Sequence, residues 1–148
     1  MSDRQRPRLS LTRRFEAPVE KVFRAWTEGE ALKRWFHPRD GMATTLAEVD
    51  LRVGGRYRIV MREAGGAEHR VGGVYREIVP NAALVFTWAW ETTPERESVV
   101  SLRFDADRGG TRLTLVHEQF ADEAARDNHL QGWTGCLDTL ARRLTEIA

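Results

Sequence analysis

Residues 44–120 form a succession of short strand-like segments separated by turn-forming residues, and this pattern constrains the fold more than any other feature. Six segments there have the alternation or the apolar, β-branched and aromatic content typical of β-strands. Short joins between such segments connect neighbouring antiparallel strands, so an antiparallel meander is predicted. The joins carry turn residues at Val53-Gly54-Gly55, Ala64-Gly65-Gly66, Pro80-Asn81, Thr93-Pro94 and Arg108-Gly109-Gly110.

A seventh strand and two short helices are predicted before the meander. Residues 9–15 alternate with a period of two, which is typical of a strand with one buried face. Pro18 suits the first turn of a helix, and the apolar residues after it recur at helical spacing until Gly29. Residues 30–36 continue as a second short helix, which Pro38 ends.

The C-terminal segment predicts one long amphipathic helix. Asp122 is a plausible N-cap, and the helical pattern continues to Ile147. Its apolar stripe needs a cover, so the expected architecture is an α+β domain in which a curved sheet wraps around the last helix. Gly132 borders that stripe, and Gly135 is predicted to face outward and to suit a helix–loop or subunit contact. The stripe consists of His129, Trp133, Cys136, Leu137, Leu140, Leu144 and Ile147.

Length and composition exclude several classes of function. The 148 residues fit one domain, with residues 1–7 predicted to form a flexible N-terminal arm. The 23 basic and 22 acidic residues give a net charge of +1, which predicts no nucleic-acid partner, and no apolar run is long enough for membrane insertion. The single cysteine, Cys136, fits a cytoplasmic location, and no Cys–His spacing predicts a metal site. A homodimer would be unsurprising for so small a domain.

Several segments, in their order and spacing, resemble a known family. The chain is similar to the activator of heat shock protein 90 ATPase homologue-like branch of the START-like, polyketide cyclase-related (SRPBCC) superfamily. The matching pieces are Ala17-Pro18 before Val22, Phe23 and Trp26; Arg34-Trp35-Phe36 with Pro38; residues 50–55 (DLRVGG); 73–78 (GVYREI) with Pro80; 84–88 (LVFTW); 113–115 (LTL) with His117; and His129 with Gly132, Trp133, Leu137 and Leu140.

This resemblance implies the helix-grip fold, in which the curved sheet grips the C-terminal helix and leaves an apolar cavity. Lipid carriers, cyclases, toxin-sequestering resistance proteins and chaperone regulators share that scaffold, so the fold alone does not name a function. The eukaryotic chaperone activators also carry a separate N-terminal domain for which these 148 residues have no room.

Six residues are candidates for ligand binding. Strand alternation places Trp88 and Trp90 on one face, across from Trp133 on the helix, where they suit either core packing or a pocket for flat ligands. His117 and His129 also point inward; each could orient a ligand or move a proton, or simply hydrogen-bond a buried neighbour. Tyr75 could add a hydroxyl to the pocket.

The leading hypothesis is a binding protein for a small, mainly hydrophobic molecule, with no metal and no obligatory cofactor. One alternative is a cyclase- or isomerase-like enzyme that uses His117 or His129 as general acid or base. Another is a chaperone-interacting regulatory module, for which only the family resemblance speaks. No complete catalytic constellation is visible in the sequence, which favours binding over catalysis.

Overall fold

The computed structural model describes residues 6–147, within which seven strands form one antiparallel sheet and three α-helices pack with it. A 3₁₀ turn (Leu144–Glu146) follows the last helix. In chain order the elements are β1 (Leu9–Phe15), α1 (Val19–Thr27), α2 (Gly29–Trp35), β2 (Ala43–Val49), β3 (Arg56–Arg62), β4 (Glu68–Val79), β5 (Ala83–Trp90), β6 (Ser98–Asp107), β7 (Gly110–Glu118) and α3 (Glu123–Arg143).

The predicted meander is confirmed. The strand order is β1-β7-β6-β5-β4-β3-β2, so every strand from β2 to β7 pairs with its neighbour in sequence. The first strand closes the other edge, with Leu9 opposite His117 and Phe15 opposite Thr111. The sheet curls into a half-barrel around α3, and the two short helices lie between β1 and β2, which is the predicted α+β helix-grip arrangement.

The last helix is shorter than predicted. Its periodicity suggested a helix reaching Ile147, but α3 ends at Arg143 and the chain tightens into the 3₁₀ turn. Leu144 and Ile147 are nevertheless buried, so they complete the predicted apolar stripe from outside the α-helix. The N-terminus of α3 is capped as predicted, because the Asp122 carboxylate accepts a hydrogen bond of 2.8 Å from the Ala125 backbone N–H.

Two bulges accompany the curvature of the sheet. Between β2 and β3 the register shifts around Thr45, and between β4 and β5 it shifts around Arg76. An extra residue in one strand bends that strand and increases its twist. In β4, Gly73 lies so close to β5 that a Cβ atom there would collide with the Thr87 carbonyl oxygen. These features help to make a concave face that can wrap around a helix.

The loop between α2 and β2 joins the sheet edge to α3. Thr44 donates a 2.6 Å hydrogen bond to the Phe36 carbonyl, and Thr139 of α3 donates one of 3.1 Å to the His37 carbonyl. Gly135 packs against the same loop, where a Cβ atom would collide with the carbonyl of Pro38. Gly135 is half-buried and makes the helix–loop contact that was expected of it.

The N-terminal arm was predicted over residues 1–7, of which 1–5 lie outside the described residues. Arg6 donates a 2.6 Å hydrogen bond to the Gln119 carbonyl, and the Pro7 carbonyl accepts one of 3.2 Å from the Phe120 N–H. The start of the described chain is thus attached to the segment that follows β7. Within residues 6–147, no helix combines the length and apolar character needed to cross a membrane.

The two glycines of α3 should respond oppositely to alanine. In Gly135→Ala the new methyl group meets backbone at Pro38, so we expect a loss of about 1–3 kcal/mol of unfolding free energy from overpacking. In Gly132→Ala the methyl group meets nothing within 4 Å outside its own helix, so better helix propensity should add up to about 1 kcal/mol. Urea unfolding measures both; equal effects would contradict the packing of α3 against Pro38.

Candidate functional site

A cleft of about 690 Å³ lies between the concave face of the sheet and α3. Its volume is within the usual range for small-molecule sites, about 300–1,000 Å³. Strands β3 to β5 form one side, α3 the other, and the loop after α2 closes one end. The lining residues are Phe36, Pro38, Arg39, Met42, Met61, Glu63, His69, Trp88, Trp90, Asn128, His129, Gln131, Gly132, Trp133 and Cys136.

Aromatic rings form the inner wall of the cleft. The ring centroids of Trp88 and Trp133 are 5.0 Å apart, and those of Trp88 and Trp90 are 5.5 Å apart in an edge-to-face arrangement. Phe36 packs edge-on against Trp133 at 5.7 Å. Contacts of this kind hold large apolar side chains in fixed orientations. Met42, Met61 and Cys136 complete the apolar lining.

His129 ties the tryptophans of β5 to α3. Its Nε2 atom accepts hydrogen bonds from the indole N–H groups of Trp88, at 3.2 Å, and Trp90, at 3.0 Å. An indole N–H can only donate, so Nε2 carries no proton and the imidazole is the neutral Nδ1–H form. Nδ1 donates to the Ala125 carbonyl at 2.7 Å, which completes the pattern. Burial lowers the pKa of His129, although the Ala125 hydrogen bond opposes that change.

His117 is fully buried behind the cleft and holds Trp133. The Trp133 indole donates to Nδ1 of His117 at 2.9 Å, so Nε2 carries the proton and donates to Ser98 Oγ at 2.7 Å. Ser98 in turn donates to the Trp88 carbonyl at 3.2 Å. Burial, with a smaller contribution from His129, lowers the pKa of His117 to about 2. This histidine is therefore neutral at physiological pH, and both its nitrogens are committed.

These hydrogen bonds decide what the inner wall can offer a ligand. The three tryptophans on the cleft direct their only polar groups to histidines within the protein. What they present to the cleft is apolar ring surface, most of it from the half-buried Trp90, because Trp88 and Trp133 are buried. The thiol of Cys136 is buried, and burial raises its pKa, so it lines the cleft as a neutral group.

Tyr75 lies at a second, much smaller space behind the inner wall. A void of about 20 Å³ is lined by Tyr75 and Trp26, among others, and shares Phe36 and Trp88 with the cleft. Burial raises the pKa of Tyr75, so its hydroxyl is neutral. Trp26 is also notable because its indole nitrogen is buried and, within the described chain, has no hydrogen-bond partner.

Charged residues stand together at the mouth of the cleft. Arg39 contacts one carboxylate oxygen of Glu63 at 2.6 Å, and His69 Nε2 contacts the other oxygen at the same distance. Both contacts lower the pKa of Glu63, the His69 hydrogen bond more than the Arg39 one, so this carboxyl group stays ionised. The polar groups of the site are thus concentrated at its rim.

The structure brings together four of the six residues proposed for ligand binding. Trp88, Trp90, His129 and Trp133 line the cleft, whereas His117 lies behind it and Tyr75 lies at the separate void. A role of any of the six in binding stays a prediction. Arg39, Glu63 and His69 also line the cleft and were not among the six.

The sequence did contain one signal for the charged rim. Ala64-Gly65-Gly66 was identified as a hairpin turn, and a hairpin brings the residues on its two sides together. Glu63 and His69 flank that turn, with Met61 opposite His69 in the β3–β4 register. For Arg39 there was no such signal, because a loop carries it to Glu63 from another part of the fold.

The family follows from comparison with known proteins. A family model described as "Activator of Hsp90 ATPase homolog 1-like protein" matches residues 16–145. This chain belongs to that family. Folds of the Hsp90 ATPase activator-like type bind small hydrophobic ligands in many cases. No functionally curated protein sequence matches the chain.

Several solved structures are similar to this chain over nearly its whole length. A crystal structure from Chromobacterium violaceum is 28% identical, with a TM-score of 0.84 over 93% of this chain and 96% of the other. The AHSA1 protein of Silicibacter pomeroyi is 29% identical, with a TM-score of 0.82 over 94% and 98%. An AHSA1-like protein of Aeromonas hydrophila, at 23% identity and a TM-score of 0.82 over 95% and 93%, shares the fold.

Across residues 6–147, no group of three or more histidine, cysteine, aspartate or glutamate side chains is arranged to hold a metal ion. Of the two histidines proposed from sequence, each uses one nitrogen as an acceptor for an indole and the other as a donor. Their present arrangement orients aromatic rings.

The burial of the histidines predicts that the folded protein loses stability in acid. The unfolded chain binds protons near the ordinary histidine pKa of about 6.5, whereas folded His117 stays neutral down to about 2. The free energy of unfolding should therefore fall as the pH drops below about 6.5, and His117 alone should account for about 1.4 kcal/mol at pH 5.5. His129 and His37 act in the same direction, because burial lowers both pKa values.

The measurement is urea unfolding of wild type and His117→Gln at about pH 7.5 and about pH 5.5, above the range where carboxylates titrate. We expect the variant to be less stable at both pH values and to lose about 1.4 kcal/mol less than wild type on acidification. An identical pH dependence in the two proteins would contradict a neutral, buried His117.

Proposed function

We propose that this protein binds a small, mainly hydrophobic molecule in the cleft between the curved sheet and α3. The observation that carries the proposal is the aromatic inner wall, whose three indole N–H groups are all satisfied within the protein. Covering the apolar surface of this wall with a ligand is favourable. Its indoles have no hydrogen-bond donor left for a polar ligand. A flat ring system lying against the cleft side of Trp88, Trp90 and Trp133 would gain both apolar burial and ring–ring contact.

The six residues would then contribute in different ways. Trp88, Trp90 and Trp133 would touch the ligand, and the half-buried His129 would meet it at its edge. His117 would act as a positioning residue, because it fixes the ring of Trp133 without reaching the cleft. Tyr75 would support the back of the wall, where its ring lies 6.0 Å from that of Phe86.

The hypothesis of histidine catalysis receives less support. A general base needs a free lone pair near the substrate, yet Nε2 of His129 accepts from two indoles and His117 does not line the cleft. A chaperone-interacting role would follow from the family's name, and no specific observation on residues 6–147 favours it. We also propose a cytoplasmic location, since the only cysteine is a buried thiol.

Filling the cleft tests the proposal directly. Gly132 lines the cleft, and a Cβ atom there would meet nothing within 4 Å outside its own helix, so Gly132→Leu should place its side chain in ligand space. We expect wild type to show a saturable change in tryptophan fluorescence with members of a panel of aromatic and acyl compounds. Gly132→Leu should weaken that binding about tenfold or more, because leucine takes the apolar contact surface.

Ala141→Leu is the matched control, since it adds a leucine side chain to an exposed position on the same helix. It should bind as wild type does. Thermal unfolding of all three proteins should show that Gly132→Leu remains folded. Unchanged affinity in Gly132→Leu, or no compound bound by wild type, would refute the proposal.

A further inference from the structure

We propose that the cleft selects planar apolar acids, and that it binds them with the ring system inside and the carboxylate at the mouth against Arg39. This inference rests on the proposed function and specifies the ligand class. It predicts a preference for one charge type among molecules of the same shape. The uncommitted polar side chains of the cleft lie at its mouth.

The inside of the cleft provides no polar side chain for a charged group. The indoles of Trp88, Trp90 and Trp133 donate to histidines, and His129 uses both ring nitrogens. The other inner residues contribute methyl, thioether, thiol or ring surface. A carboxylate placed there would lose its hydration without receiving hydrogen bonds from side chains, which is strongly unfavourable. The ring system of an amphipathic ligand therefore belongs inside.

The charged groups at the mouth favour an anion over a cation. Both oxygens of Glu63 are already engaged, one by Arg39 and the other by His69. Arg39 uses only Nη2 in that ion pair, and within residues 6–147 its Nε and Nη1 atoms have no partner. A ligand carboxylate could therefore accept from the guanidinium, whereas a ligand ammonium would have to share a carboxylate that already pairs with Arg39 and would be repelled by that guanidinium.

Two amides on α3 add hydrogen-bonding groups that suit either charge type. Asn128 and Gln131 line the cleft, are exposed, and make no side-chain hydrogen bond to the described chain. Each amide carries two N–H donors, which could reach an anionic group at the mouth, and a carbonyl oxygen, which could accept from a cation, so the preference for acids rests on Arg39. Exposed partners contribute modestly, so the selectivity should be severalfold to about tenfold and should weaken as salt screens the charge.

The opposite orientation has one structural argument in its favour. Trp26 has the indole N–H without a partner, and it borders the small void behind Phe36 and Trp88. A ligand acceptor could satisfy that N–H only by separating the two side chains, whose ring centroids are 6.2 Å apart. The void of about 20 Å³ would hold little more than one water molecule. The outward orientation needs no such rearrangement.

Three probes of one shape separate these possibilities: 2-naphthoate, 2-naphthamide and 2-naphthylmethylammonium, each titrated by calorimetry. Wild type should bind the carboxylate about five to ten times more tightly than the amide, and the ammonium most weakly.

Arg39→Gln should remove the preference for carboxylate. Glu63→Gln should increase it, because the guanidinium loses its neutralising partner. Arg103→Gln, which removes an exposed arginine paired with Asp105 on β6, is the control and should change nothing.

The outcomes also distinguish this inference from the proposed function. If the amide binds wild type but the carboxylate has no advantage, the cleft binds apolar molecules and the rim does not select acids, which overturns the inference alone. If Trp26→Phe, rather than Arg39→Gln, abolishes the preference, the carboxylate enters first and the proposed orientation is wrong. If none of the three probes binds, both proposals fail for ligands of this size.

Discussion

The constraint on which the site depends is that every indole N–H on the cleft must find an acceptor inside the protein. A buried donor without a partner costs about 1–3 kcal/mol, and strands offer no spare acceptor on their apolar face. Two histidines provide the acceptors, one from α3 for Trp88 and Trp90, and one from β7 for Trp133. These bonds cross between sheet and helix, so they orient the aromatic wall and attach the helix to the sheet.

The shape of the cleft follows from the same helix. Gly135 allows α3 to touch the loop at Pro38, while one turn earlier Gly132 leaves its side of the helix open to the cleft. The helix thus touches the loop at Gly135 and leaves a space beside the sheet at Gly132. Apolar surface lines the interior and charge stands at the rim, which is the distribution suited to a molecule with one apolar and one polar end.

Sequence reasoning was successful where local patterns decide structure. Turn residues and alternation predicted the seven-stranded meander, and helical spacing placed Trp133 and His129 on the buried stripe of the last helix. The same alternation correctly turned Trp88 and His117 inward. It could not separate a ligand-facing side chain from one behind the wall, because both point in the same direction from a strand. That is why Tyr75 and His117 were grouped with the residues that line the cleft.

The sequence by itself determined the order of strands and helices, the inward faces and the family, because these depend on spacing along the chain. Only the tertiary structure decided that His129 accepts hydrogen bonds from two indoles. It also decided that Gly135 packs against Pro38 and that Arg39 pairs with Glu63 at the mouth of the cleft. Each of these pairs joins segments far apart in sequence. Their contact depends on how the curved sheet, the loop and α3 come together, and alternation along one segment carries no information about that distance.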